Sequence, residues 1–151
     1  MTPDQQTALR SELQGDPKAR GYAQFIPDAP GMVVQLLNEP VDTMVKAIKS
    51  TTAQAWAAAG PYASIVDAGN DLTHPCRSSC LMLRDTLVSG VHIDIPADDV
   101  QSMLAAWVAT NVITQAHSDD LHARATAPAS RAEVLGLGVV TENDVRTAWQ
   151  S

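Results

Sequence analysis

The sequence predicts a mainly helical protein: a compact bundle of several short helices around two or three longer ones, with at most one short strand. Three observations carry this. Apolar residues make up 45% of 151 positions, yet only three Trp, two Tyr and one Phe are among them, so the core must be built from aliphatic residues and many Ala. Alanine loses no side-chain entropy in a helix and favours it. Apolar residues recur at helical spacing in several windows, and cap signals flank those windows. The length suits one domain, 1–151, burying roughly two-thirds of its unfolded surface. Within it, residues 1–38 and 124–151 are set off by Gly and Pro as possible docking extensions.

Taken in order, Thr2-Pro3-Asp4 opens a helix: Thr2 caps, Pro3 suits the first turn, and Asp4 faces the positive end of the dipole. Leu9 and Leu13 form its stripe and Gly15 ends it. Asp16-Pro17 repeats the cap-then-proline logic, giving one short turn that stops at Gly21 with Arg20 near its last carbonyls. Met32–Leu37 reads as a short buried helix. A longer helix is expected from Pro40, carrying Val41, Met44, Val45 and Ile48, through Trp56 to Gly60. Gly69-Asn70-Asp71 suggests a turn, and Leu81–Val88 a second core helix ended by Gly90. Val91–Ile95 alternates apolar and polar residues like a strand. The cleanest stripe, Val100 to Val112, places a helix over Ala97–Ala116 behind Asp98 and Asp99. Ala123–Ala129 reads as a linker. Ser130-Arg131-Ala132-Glu133 fits a capping box ended by Gly136, and Thr141 opens a last helix carrying Val145 and Trp149.

Charge excludes one class of function. Seventeen acidic residues against ten basic ones give a net charge of −7. A nucleic-acid grip needs concentrated basic residues to displace phosphate counterions. An acidic wall past which DNA slides remains compatible. The polar start carries no apolar stretch behind a basic one, and no apolar run approaches the ~18–20 residues that span a bilayer. The expectation is a product made in the cytosol.

Chemistry-bearing clusters are few. Cys76 and Cys80 lie four apart near His74, with His92 further on. Structural zinc takes four ligands, usually from Cys-x2-Cys knuckles, so buried thiols are the simpler reading. His117-Ser118-Asp119-Asp120-Leu121-His122 has metal-site content without the spacing of two His at i and i+4, and reads as a solvated helix end. Gly136-Leu137-Gly138 lacks the rest of a phosphate-binding glycine loop. No nucleophile elbow is present. The expectation is no catalytic residue, no metal and no cofactor. Trp107 and Trp149 lie on apolar stripes as core or subunit-interface anchors.

Two segments carry a resemblance. Asp16-Pro17-Lys18-Ala19-Arg20-Gly21-Tyr22, with Leu37-Asn38 beyond it, resembles the N-terminal pattern of small tailed-bacteriophage virion proteins encoded among head and tail genes. Ser130-Arg131-Ala132-Glu133-x-Leu135-Gly136-Leu137-Gly138, then Val140 and Val145, resembles their C-terminal pattern. Together the segments cover under half of the chain. The resemblance implies a non-enzymatic virion protein of head-to-tail connector type, ring-forming, touching portal and tail proteins, with DNA passing its lumen. Other virion roles (tail completion, tail tube, minor capsid) are the alternative, and a zinc-dependent enzyme a more distant one. In either virion role Asp16, Arg20, Gly21, Tyr22, Ser130, Glu133, Gly136 and Gly138 have structural duties.

Overall fold

A computed structural model describes residues 1–150. Nine α-helices and one two-stranded sheet are present among those residues, in agreement with the mainly helical class, with two short strands where at most one is expected. The chain divides into two compact units, Met1–Met44 with the segment from Pro128 onward, and Val45–Ala127. The first, here the terminal unit, thus contains the expected extension 1–38 and, of the expected extension 124–151, the part from Pro128 onward. The second is the central unit.

In the terminal unit, α1 (Pro3–Gly15) starts as expected. The Thr2 hydroxyl accepts from Gln5 N at 3.2 Å while Thr2 N donates to Gln5 Oε1 at 2.9 Å, satisfying two otherwise orphaned donors. The turn expected after Asp16 forms over Pro17 and Lys18, with Ala19 N bonding back to Asp16 O at 2.9 Å, but it does not continue as helix to Gly21. Asp16 is itself left-handed (φ 39°), and its carboxylate accepts from Arg20 N and Gly21 N, each at 2.7 Å. A short polar side chain that bonds nearby backbone competes with helix formation, and here it wins. Gly21 follows at φ +74°, a left-handed conformation that L side chains rarely adopt. A 3₁₀ turn (Tyr22–Phe25) leads to α2 (Pro30–Asn38). After the central unit come α8 (Arg131–Val134) and α9 (Glu142–Gln150). Leu9, Leu13, Tyr22, Val33, Leu37 and Val145 form this unit's core.

The central unit holds α3 (Ser50–Ala58), α4 (Tyr62–Asn70), α5 (Arg77–Ser89), α6 (Asp98–Ala109) and α7 (Gln115–Ala125). Trp56, Ile65, Cys80, Ile95, Leu104 and Trp107 anchor its core. Several expectations change from Pro40 onward. The helix expected from Pro40 is replaced by β1 (Asp42–Val45), and helix begins only at Ser50. Val41, Thr43 and Val45 are β-branched and suit a pleated surface. Ile48 then exchanges hydrogen bonds with Ile93 at 2.9 and 2.8 Å. That single bridge is what the Val91–Ile95 pattern becomes.

The helix expected over Ala97–Ala116 breaks at Asn111, which adopts φ +58°, while Val112 N bonds back to Trp107 O at 2.9 Å. Asparagine tolerates the left-handed region and commonly ends helices this way. Thr114 caps α7 anew, so His117 and His122 lie within a helix rather than at a solvated end. The expected linker Ala123–Ala129 is the end of α7 followed by β2 (Thr126–Ala129), which pairs with β1. Gly69, expected in a turn, sits inside α4, where a Cβ would meet Leu81 at 3.4 Å.

Candidate functional site: a buried clasp in the terminal unit

The two motif segments meet on one carboxylate. Glu12, on the apolar stripe of α1 between Leu9 and Leu13, has a side chain only 2% exposed. Arg131, the first residue of α8, grips it through Nε to Oε1 at 2.9 Å and Nη2 to Oε2 at 2.8 Å. Such a planar fork on a carboxylate is the strong form of the ion pair. The Tyr22 hydroxyl donates to Glu12 Oε1 at 3.3 Å, so Glu12 accepts from both segments. Outside this pair, Arg131 Nη1 lies 3.6 Å from Asp42 Oδ2, and Lys18 Nζ is 2.7 Å from Asp42 Oδ1. Two acids face two bases, so the cluster is locally neutral.

The surrounding motif residues hold this clasp in place. Ser130 and Glu133 form the expected capping box: Ser130 N donates to Glu133 Oε2 at 2.8 Å, and Glu133 N to Ser130 Oγ at 3.2 Å. The cap aims α8, and with it Arg131. Ser130→Ala should cost about 1 kcal/mol of stability in thermal unfolding, the usual loss of such a cap. Arg20 bonds Leu36 O at 3.1 Å and pairs with Glu39. It thus serves the C-terminus of α2, not a helix of its own. Gly136 and Gly138 take φ +64° and +67°, and Gly136 O accepts from Gln5 Nε2 at 2.8 Å.

The electrostatics are those of a fastening. The hydrogen bond and charge of Glu12 raise the Arg131 pKa, and the hydrogen bond from Lys18 holds Asp42 below the usual carboxylate range. Burial, with the Glu12 charge and hydrogen bond, pushes Tyr22 from 10.0 up to about 12. Folding therefore favours the protonated phenol. The stability it contributes is fully present below pH 10 and is lost as pH rises through about 12. Wild type should lose stability in that window more steeply than Tyr22→Phe, with the difference between them flat below it. Parallel denaturant titrations at stepped pH measure this.

The remaining candidates lie elsewhere. Trp107 is fully buried in the central unit, where its Nε1 donates to Ser79 Oγ at 2.8 Å; Trp149 is half-buried against the terminal unit's core. Cys76 precedes α5 and Cys80 lies in its first turn; both thiols are free and buried, and burial pushes Cys80 up. Cys76 Sγ lies 3.4 Å from Thr110 Oγ1, and His74 Nδ1 accepts from Cys76 N at 3.1 Å. His122 sits between Ser118 O and the Gln101 carboxamide. No group of three or more His, Cys, Asp or Glu side chains able to hold a metal is gathered among the described residues.

No family model, curated protein or solved structure matches this chain. Among the described residues, no helix is long and apolar enough to cross a membrane. Sequence reasoning missed Glu12, the residue at the centre of the cluster. Its signal was present: a carboxylate at i+3 from Leu9 and next to Leu13 falls on a buried stripe, where a charge needs a partner. Trp56 was read only as part of an Ala-rich helix. It anchors the central core, donating from Nε1 to His117 O at 2.8 Å.

Proposed function

We propose that the chain is a non-enzymatic virion structural protein, a head-to-tail connector (neck or adaptor) subunit that assembles in a ring between portal and tail of a tailed bacteriophage. One observation carries the reading. The two segments that resemble such proteins donate to the same buried carboxylate, Tyr22 from one and Arg131 from the other. Residues that matter only for local helix ends need no common partner. Residues that build one rigid docking body do, and a fully partnered, buried ion pair suits a body that transmits force without chemistry.

In this reading the partners are further copies of the chain and the portal and tail proteins. DNA passes through without specific binding, since a net charge of −7 keeps phosphates from sticking. The protein is made in the bacterial cytoplasm and ends in the virion. Closed cyclic symmetry lets one small chain form the ring. Gold labelling of a tagged copy in purified particles tests the location. Label at the neck supports the reading; label along the tail tube or on the capsid moves the chain to another virion role; its absence from particles overturns the virion reading altogether.

A further inference from the structure

A ring of identical subunits needs a head-to-tail contact, in which one surface patch meets a different patch on the next copy. The central unit carries a matching pair of patches at opposite ends of α4. Near the start of α4 lies a groove of about 520 Å³, lined by Ala57 and Ala58 of α3, Tyr62 of α4 and Arg84, Leu87 and Val88 of α5. Its lining is mostly apolar, its cation is Arg84, and Val88 stands 82% exposed beside it. Just past the other end of α4 stands Leu72, a leucine 81% exposed to water.

Leu72 is displayed on an ordered loop. The neighbouring Asp71 carboxylate accepts from Thr73 N at 2.8 Å and Thr73 Oγ1 at 2.7 Å, and His74 N returns to Asp71 O at 3.2 Å. Little conformational entropy is left to lose on docking. The nine residues of α4 separate knob from groove by ~13 Å at ~1.5 Å per residue, so a chain's own Leu72 does not reach its own groove. The groove has room for a leucine and its flanking backbone.

We infer that Leu72 of one copy inserts into the α3–α4–α5 groove of the next, with the adjacent Asp71 carboxylate meeting Arg84. Shape and charge agree. An aliphatic knob beside an anion faces an aliphatic groove containing a cation. Arg84 pairs with the exposed Asp85 carboxylate at 3.3 Å, and surface pairs of that kind exchange at little cost. The inference rests on the ring reading and gives that ring its subunit contact.

Two variants with charges at exposed positions test it. Leu72→Glu removes the knob and leaves the groove; Val88→Glu spoils the groove and leaves the knob. Both positions are exposed, so both variants should fold, as circular dichroism will verify. In sedimentation velocity, wild type should form closed oligomers and each variant alone should be monomeric. An equimolar mixture should give a 1:1 heterodimer that grows no further, because one intact knob and one intact groove remain. Val139→Glu, exposed but outside the contact, should assemble like wild type. Wild-type rings that persist in both variants, or that Val139→Glu abolishes, overturn this contact while leaving the ring standing. A wild-type chain that stays monomeric at high concentration overturns the contact, and the connector reading is then decided separately by particle labelling.

Discussion

Trp107→Ala is expected to lower the stability of the central unit by about 3–5 kcal/mol, the range for removing a large aromatic side chain from a packed core. Trp107 is 0% exposed and packs in the cluster that includes Trp56, Leu104 and Leu121. The substitution leaves a cavity that such a core fills only in part. It also removes the indole N–H from which the Ser79 hydroxyl accepts at 2.8 Å, leaving that hydroxyl its bond to Cys76 O at 2.9 Å. Ser79→Ala, which removes that hydrogen bond and the one Ser79 Oγ donates to Cys76 O at 2.9 Å, should cost about 1–2 kcal/mol. Urea unfolding followed by circular dichroism measures both. The loss should not change with protein concentration, because Trp107 is buried within a single chain. Trp149→Ala, at a half-buried position, should cost less.

The second large effect concerns the clasp. Arg131→Met should cost about 3–5 kcal/mol, because it leaves the Glu12 carboxylate buried without its counter-charge, facing the Tyr22 hydroxyl. Replacing both partners removes the buried charge with its counter-charge. The double variant Glu12→Met/Arg131→Met should therefore recover most of the loss. A well-packed apolar pair of similar volume is often neutral against a buried ion pair. If the single and double variants are equally destabilised, the pair contributes packing rather than charge pairing. Comparing the two in thermal melts separates these outcomes.

These expected effects also mark which features were legible in the sequence. Local signals were read well where they act locally. Thr2-Pro3 opened α1, Ser130-x-x-Glu133 capped α8, Thr141 opened α9 and Gly90 ended α5, each a matter of a few neighbouring residues. The errors fall where distant partners decide. Val41, Met44, Val45 and Ile48 have helical spacing, but β1 pairs with β2 and Ile48 with Ile93, residues far along the chain. The Asn111 break was closer to legible, since Thr110-Asn111 and the Thr114 cap both sit in the stretch read as one helix. The clasp divides in the same way. Tyr22 and Ser130 were read as structural residues, but the partner of Glu12 lies 119 positions away. Spacing says that a buried carboxylate needs a cation, and only the fold says which one.

Native mass spectrometry of the intact chain, alone and mixed with a candidate portal ring, tests the central claim most directly. The connector reading predicts a metal-free chain that closes into a ring of fixed copy number or loads onto the portal as one. A monomer that holds a zinc ion and ignores the portal would contradict it, and would return attention to His74, Cys76, Cys80 and His92.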